Sequence, residues 1–210
     1  MGRCGCGGRH GRRTSWNRGH IVGQKLPLKP REVWSIRTRL QVSGAERDLA
    51  LFNLAIDSKL RGCDLVTITV GDVALSGSVR DRAVIVQKKT GRPVQFEITE
   101  QTRAAVGAWI ARRRLTERDF LFPSRVRAKP HMSTRQYGRI VGRWVTSIGL
   151  DPKRYGMHSM RRTKASQIYK KTGNIRAVQL LLGHRKLEST VRYLGIEVDD
   201  ALAISEQVEL

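Results

Sequence analysis

The chain has 210 residues, with 40 lysines and arginines against 18 acidic residues, so its formal net charge is +22. A hydrophobic fraction of 40% is enough for a folded core and excludes a chain that is disordered throughout. Such a positive charge is typical of proteins that bind a polyanion, and nucleic acid is the leading candidate because neutralised phosphates release counterions. No run of about 20 apolar residues is present, so we expect no membrane span, and we see no signal-peptide core.

The three cysteines, Cys4, Cys6 and Cys63, have no spacing typical of disulfides, which favours a reducing cytoplasm. Cys4 and Cys6 could be combined with His10 and His20 into a zinc site. Their C-x-C spacing does not match the usual C-x₂₋₄-C of structural zinc sites. We therefore expect no metal and no other cofactor.

The first 28 residues are rich in Gly, Arg and His, and no acidic residue precedes Glu32. A segment this polar cannot bury enough surface to fold alone. The composition predicts a disordered basic arm over residues 1–28 and a folded domain over residues 29–195.

Two helices are predicted at the start of this domain. The first begins near Pro30, because proline is tolerated in the first turn of a helix. The second covers residues 45–60, where Leu, Ile, Phe and Ala form a wide apolar stripe. The helical pattern then breaks and restarts over residues 58–65, with Arg61 at the junction.

A strand-rich segment follows. Residues 83–87 and 94–98 are β-branched or aromatic runs joined by a basic hairpin, residues 88–93. Residues 66–73 are expected to lead into a first strand of the same small antiparallel sheet. The predicted fold class is therefore α+β, mainly helical, with one three-stranded antiparallel sheet.

The second half of the chain is predicted to be helical. A helix enters near residue 100, a second is capped by Ser133 or Thr134, and further helices cover residues 158–171 and 174–182, the last ended by Gly183. Residues 196–210 carry five acids and no base. They could form an amphipathic helix that docks on protein, within the chain or in trans.

Two motifs in this half carry chemistry. His158-x-x-Arg161 pairs an imidazole with a guanidinium, and His184 precedes Tyr193 by nine positions. Guanidinium is always charged and matches phosphate geometry, and tyrosine becomes a usable nucleophile beside cations and a base. We predict that these residues converge on one DNA phosphate and that Tyr193 attacks it.

Residues 45–195 resemble the catalytic domain of the tyrosine recombinases, the phage integrase family. The family signature runs Arg, a hairpin Lys, His-x-x-Arg, His or Trp, then Tyr. Here a Leu-Arg-Gly-Cys-Asp-Leu segment, a Lys-Thr-Gly hairpin, His-x-x-Arg and Leu-Leu-Gly-His match it in order. The matching positions are Arg61, Lys89, His158, Arg161, His184 and Tyr193. Two positions depart from the pattern, since Lys59 stands where Gly is common and Arg162 where a second His is common.

The resemblance implies a role for each position. The two arginines would clamp the scissile phosphate, and the two histidines would hydrogen-bond it, with His158 helping to move the tyrosine proton. Lys89 would protonate the leaving 5′-oxygen, although sequence alone does not exclude Lys88. Tyr193 would form a 3′-phosphotyrosine bond. Asp64 would support the site without touching DNA.

The implied function is a site-specific DNA recombinase or integrase of the bacterial cytoplasm. It would act on double-stranded DNA as a homo-oligomer, with DNA-bending accessory proteins as possible partners. The alternatives are a non-catalytic DNA-binding or accessory protein derived from an integrase, and a type IB topoisomerase. Only some 40 residues precede the catalytic region, so we expect a short form without most of the family's N-terminal core-binding domain.

Overall fold

The fold is seen in a computed structural model that describes residues 24–125, 129–195 and Glu206. Within these residues lie nine helices and four short strands. The helices are α1 (Pro30–Val42), α2 (Glu46–Ser58), α3 (Gly62–Leu65), α4 (Val70–Val73), α5 (Glu100–Arg113), α6 (Thr134–Ser147), α7 (Met157–Thr172), α8 (Ile175–Leu182) and α9 (Leu187–Leu194). The strands are β1 (Ala74–Leu75), β2 (Ser78–Val79), β3 (Arg82–Val86) and β4 (Pro93–Glu97). None of the helices in this described part is long and apolar enough to cross a membrane.

Both predicted terminal segments fall largely outside this description. Of the arm, only residues 24–28 are described, and of the acidic tail only Glu206. The cysteines and histidines weighed as a zinc site lie before residue 24 and are also outside it.

Helix α2 forms the centre of the molecule. Every residue from Ala50 to Ser58 is buried, which agrees with the wide apolar stripe in its sequence. Helices α1, α5 and α7 pack around it. The position of α2 matters for function because its C-terminal end leads directly to Arg61.

Capping residues fix two of the later helices, and the sequence predicted the first of these caps. The Ser133 hydroxyl accepts a hydrogen bond from the Gln136 amide at 3.1 Å at the start of α6. The Asn174 side chain accepts one from the Ala177 amide at 2.9 Å at the start of α8. Each cap satisfies a backbone N–H group that the first helical turn leaves without a partner.

The mainly helical α+β class is confirmed, but the prediction of one three-stranded sheet is wrong. Strands β3 and β4 pair with each other, and β1 and β2 form a separate two-stranded hairpin. Thr69 and Asp72 make a capping box that starts α4, so residues 70–73 are helical. Strand β1 then has two residues, which pair with β2 across a turn in which Ser76 and Gly77 both have positive φ. Because β1 ends after two residues, it pairs with β2 and does not extend to β3.

A network of buried charges ties α2 to the strands. Lys59 follows α2 in the left-handed conformation (φ 54°) and is only 1% exposed. Its ammonium donates to both carboxylate oxygens of Glu97, at 3.0 and 3.1 Å, and to the Asp57 carbonyl oxygen at 2.5 Å. Lys59, which stands where Gly is common in the family, is therefore a buried cation with a carboxylate partner.

Lys164 connects the same network to α7. Its ammonium lies 2.7 Å from both Asp57 Oδ1 and Glu97 Oε1. The other oxygen of Asp57 accepts hydrogen bonds from the hydroxyls of Thr99 and Thr102 at 2.7 and 2.6 Å. We call these four charged residues, Asp57, Lys59, Glu97 and Lys164, the buried ion network. Asp57 and Lys59 are buried, and Glu97 and Lys164 are half-buried.

Helices α7, α8 and α9 share a second, smaller apolar cluster. Ala165, Val178 and Leu182 form it, and the side chains of Tyr193 and Leu194 pack against it. We call it the satellite core. It places the helix that carries Tyr193 beside α7, which carries the His158-x-x-Arg161 motif.

Candidate active site

Arg61 lies at the junction of α2 and α3, where it is the N-cap residue of α3. Its guanidinium donates to the side-chain oxygen of Gln87, which is fully buried at the end of β3. The amide nitrogen of Gln87 in turn donates to the Leu182 carbonyl oxygen at 3.3 Å. Gln87 thus links Arg61 to the end of α8.

Arg161 reaches the same carbonyl from α7. Its Nη2 donates to the Leu182 oxygen at 2.7 Å and lies 3.4 Å from His184 Nε2. The side chain is buried, and its Nη1 has no hydrogen-bond partner among residues 24–125 and 129–195. Burial lowers the pKa of Arg161, against the opposing effect of Tyr193. The guanidinium is therefore a buried cation that still has a free donor.

The turn after α8 depends on Gly183. Its φ is +64°, and a Cβ placed there would lie 2.5 Å from Val94 Cγ2 and 3.2 Å from Gln87 Nε2. Only glycine both adopts this conformation easily and leaves that space open. This close approach brings the Leu182 carbonyl to Gln87 and turns the chain toward His184.

His184 lies between Arg161 and Tyr193. Its Nδ1 is 3.1 Å from the Thr190 hydroxyl, and its ring meets the Tyr193 ring edge to face at 5.3 Å between centroids. Burial, followed by the charges of Arg161 and Arg61, lowers its pKa to about 4. The imidazole is therefore neutral at pH 7. Because Nε2 faces a guanidinium donor, the proton is assigned to Nδ1.

Two guanidinium groups lie over the ring of Tyr193. The Cζ atoms of Arg161 and Arg162 are 5.8 and 5.4 Å from the centre of its ring. Its hydroxyl lies 3.5 Å from the His158 carbonyl oxygen, toward which it donates. Burial raises the pKa of Tyr193 to about 12, although Arg161 and Arg162 act in the opposite direction. In the free protein the phenol is thus protonated at neutral pH.

His158 and Lys89 complete the predicted set at the open side of the site. His158 is in the first turn of α7, and its side chain is exposed. Its partial burial lowers its pKa, and the charges of Arg161, Arg162, Arg61 and Lys89 lower it further.

The hairpin tip that carries Lys89 is anchored from its base. Both Lys88 and Lys89 are exposed, and the Lys88 amide donates to Asp64 Oδ1 at 3.0 Å. Asp64 is buried in α3, so it joins the hairpin to the segment that carries Arg61. Lys89 is among the cations whose charge lowers the pKa of His158.

The structure therefore joins five of the six predicted residues in one set of contacts, whereas Lys89 is exposed on the hairpin, outside these contacts. Three members of the site were not predicted: Gln87, Arg162 and Thr190. The sequence carried one sign that Gln87 could belong to the site, since it is a polar residue directly after an apolar strand. Arg162 contacts Lys25 across the fold, and the sequence marked it only as a departure from the family's usual His. Thr190 contacts His184, six residues earlier in the chain, and the sequence gave no reason to select it.

Comparison with known proteins adds the identity of the fold. Residues 28–198 match the model of the phage integrase family. The chain belongs to the phage integrase family. This confirms the resemblance seen in the motifs.

Two curated integrase-family relatives illustrate the likeness. The probable integrase/recombinase YoeC of Bacillus subtilis (strain 168) is 29% identical over 158 residues, covering 75% of this chain and 82% of YoeC. The tyrosine recombinase XerC of Psychromonas ingrahamii is 29% identical over 164 residues, covering 77% of this chain and 52% of XerC. The chain thus spans about half the length of that XerC.

Solved structures show the same fold. The XerA recombinase superposes with a TM-score of 0.71 at 20% identity, covering 88% of this chain and 65% of XerA. The XerH site-specific recombinase bound to its difH substrate superposes with a TM-score of 0.67 at 20% identity, covering 87% of this chain and 55% of XerH.

Proposed function

We propose that this integrase-family chain is a site-specific DNA recombinase that breaks and rejoins DNA strands through a covalent bond between Tyr193 and a 3′-phosphate. The observation that carries the proposal is the arrangement around the phenol. Two guanidinium groups lie over the ring of Tyr193, and a neutral histidine meets its edge. The tyrosine also lines a cleft of about 490 Å³ together with His158 and Arg162.

The cations of this site suit a phosphodiester. Arg61, Lys89, Arg161 and Arg162 form no ion pair with a carboxylate within the described residues. Arg61 and Arg161 would bind the non-bridging phosphate oxygens, and the buried Nη1 of Arg161 has no partner within the described residues. Fixed positive charge of this kind stabilises the charge that develops on phosphoryl oxygens in the transition state.

The cleavage step needs two proton transfers. The Tyr193 oxygen forms a bond to phosphorus as the bond from phosphorus to the 5′-oxygen breaks. His158 has a lowered pKa, so its neutral ring can take up the phenol proton. Lys89 would give a proton to the leaving 5′-oxygen. Attack of a 5′-hydroxyl on the phosphotyrosine bond reverses these steps and rejoins the DNA.

Double-stranded DNA is the proposed partner. XerH is bound to its difH substrate in the solved complex, and the Tn1549 transposon integrase, a further structure with this fold, is in complex with transposon right end DNA. Exchange between two duplexes requires a Tyr193 at each cut strand, so we propose a homo-oligomer on DNA, with accessory DNA-bending proteins as possible further partners. Residues 29–195 would be the catalytic unit of this cytoplasmic assembly.

Covalent capture tests the proposal without knowledge of the target site. The protein is incubated with a library of nicked duplexes of random sequence, and complexes that resist denaturing detergent are isolated and sequenced. We expect wild type to give a covalent adduct on an enriched sequence. Tyr193→Phe should bind the same DNA in a gel shift and give no adduct.

Tyr169→Phe is the matched control for this experiment. Tyr169 is also a half-buried tyrosine that packs on the satellite core, so its substitution should leave adduct formation unchanged. An adduct of undiminished yield in Tyr193→Phe would remove the nucleophile assignment. DNA binding by wild type without any adduct would favour the non-catalytic alternative, and relaxation of supercoiled DNA without strand exchange would favour a topoisomerase.

The general acid is tested with a substrate whose leaving oxygen is replaced by sulfur. A 5′-thiolate leaves without protonation, so it should restore cleavage in a variant that lacks only the proton donor. We expect Lys89→Ala to be rescued and Lys88→Ala to need no rescue. Rescue of Lys88→Ala instead would assign the role to Lys88.

A further inference from the structure

Residues 24–28, which we call the N-terminal strap, run over α7 ahead of α1. Leu28 is almost completely buried, and its amide donates to the Thr163 hydroxyl at 3.0 Å. The Leu26 amide donates to the Arg154 carbonyl oxygen at 3.0 Å. The strap is therefore held against the body of the fold by backbone hydrogen bonds and by one buried side chain.

The strap also holds Arg162. Its Nη1 donates to the Lys25 carbonyl oxygen at 2.9 Å, and the side chain is buried. The same guanidinium lies 5.4 Å from the centre of the Tyr193 ring. Arg162 thus joins the strap on one side to the tyrosine ring on the other.

A second contact connects the strap with the end of α9. The side-chain nitrogen of Gln24 donates to the Arg192 carbonyl oxygen in the last turn of this helix. Arg192 is the neighbour of Tyr193 in the chain, and Gly195 ends the helix in the left-handed conformation (φ 70°). The strap therefore contacts the backbone next to Tyr193 and, through Arg162, the face of its ring.

We propose that Arg162 is a positioning residue for Tyr193, and that the N-terminal strap holds Arg162 in place through the Lys25 carbonyl group. A cation over an aromatic face attracts the ring, and a cation fixed by a hydrogen bond defines where the ring must lie. The inference rests on the proposed function, since orientation of the phenol matters only if its oxygen attacks phosphorus in line.

Arg162 differs in this respect from the two arginines assigned to the phosphate. Arg61 and Arg161 are tied to Gln87 and to the Leu182 carbonyl on the far side of the site, whereas Arg162 is tied to the strap. The positive charge of Arg162 also acts to lower the pKa of Tyr193, against the effect of burial. Removal of that charge should therefore make the phenol harder to ionise.

The test measures the single-turnover rate of adduct formation on the captured DNA as a function of pH, together with DNA affinity and thermal stability. We expect Arg162→Gln to lower the rate roughly 5- to 30-fold, the effect of a desolvated cation over a ring. Its pH–rate profile should move to higher pH. Arg162→Lys keeps the charge and should retain a profile close to that of wild type.

Two further variants separate the effect of the strap from the effect of losing one positive charge. Gln24→Ala removes only the contact with α9, so we expect a decrease of roughly threefold in rate with unchanged affinity for DNA. Arg154→Gln removes an exposed cation beside the strap, away from Tyr193, and should leave the pH–rate profile where it is in wild type.

A purely structural role for Arg162 would lower thermal stability without moving the pH–rate profile, and that result would overturn the proposal. If Arg162→Gln does not fold, a wild-type rate of adduct formation in Gln24→Ala would overturn it, since Arg162→Lys is expected to keep the wild-type profile. Absence of an adduct in wild type would instead remove the proposed function, and this inference with it.

Discussion

Two groups of cations lie next to each other in this protein, and one is paired with carboxylates while the other is held by neutral groups. Helix α7 contributes Lys164 to the buried ion network and Arg161 to the candidate site, three residues apart. In the network, hydrogen bonds to Asp57 and Glu97 outweigh burial and raise the pKa of Lys164, although burial lowers the pKa of Lys59. In the site, burial prevails and lowers the pKa of Arg161.

The same contrast between carboxylate and neutral partners is seen at the end of α2. Lys59 is paired with Glu97, but Arg61, two residues later, is bound to the neutral side chain of Gln87. A cation with a carboxylate partner contributes to the fold, whereas a cation held by neutral groups keeps its charge available for an external anion. The comparison predicts that substitutions in the network reduce stability and that substitutions in the site reduce DNA cleavage.

Arg161→Ala should have the largest effect on the rate of cleavage. Loss of a fixed charge at the phosphate is expected to lower the rate of adduct formation by about 10²- to 10³-fold. The free energy of unfolding should change by less than about 1 kcal/mol, because loss of the hydrogen bond to Leu182 is offset by removal of an unpaired buried charge. Single-turnover cleavage and urea unfolding measure the two quantities.

Arg39→Ala is the control for the loss of one positive charge, since Arg39 is exposed on α1. It should leave the cleavage rate unchanged. A large loss of stability in Arg161→Ala, with cleavage retained, would contradict the division between the two groups.

Asp57→Ala should produce the converse result. It leaves Lys59 and Lys164 with the half-exposed Glu97 as their only carboxylate within the network, and removal of one partner from a buried pair costs about 3–5 kcal/mol. Urea unfolding measures this loss. A decrease below about 1 kcal/mol would show that the network contributes little to the fold.

Gln87→Ala tests the neutral link between Arg61 and α8. Without the side-chain oxygen the guanidinium is no longer held, so we expect a roughly tenfold lower cleavage rate with DNA affinity retained. Gln95→Ala is the matched control, because Gln95 is exposed on β4. Equal cleavage rates in the two variants would remove the positioning role of Gln87.

The smallest predicted effect is a dependence of stability on acid. Burial raises the pKa of Asp57, but hydrogen bonds from Lys164, Thr102 and Thr99 outweigh it, so the pKa lies below the usual 3.8. The resulting stabilisation is present above about pH 4 and is lost as the pH falls through the folded-state pKa. The stability difference between wild type and Asp57→Asn should therefore narrow between pH 6 and pH 3, as measured by thermal unfolding. A difference that stays constant over this range would contradict the assignment.

Much of the fold could be predicted because its signals are local. Pro30 marks the start of α1, Ser133 and Asn174 cap α6 and α8, and the apolar residues of α2 recur with helical spacing. The wrong third strand arose where β-branched residues suggested an extended chain. The capping box of Thr69 and Asp72 stabilises a helix there instead.

The site could be predicted less completely because its contacts join distant segments. The six motif positions are recognisable by their order, but the link through Gln87 depends on Gly183 bringing α8 onto the strands. Lys59 would be assigned to the surface by its residue type, and only the carboxylate of Glu97, 38 residues away, explains its burial. The catalytic roles of the six residues stay predictions until the variants are measured.

The satellite core has a consequence for dynamics. Helix α9 buries only Thr190 completely, and its apolar contacts are with a cluster of three buried residues separate from the main core. Helices with few buried contacts open at a lower free energy than the centre of a domain. Backbone amides of α9 should therefore exchange with deuterium much faster than those of α2, through local opening that leaves the main core folded. The segment that carries Tyr193 can then move as a separate cooperative unit.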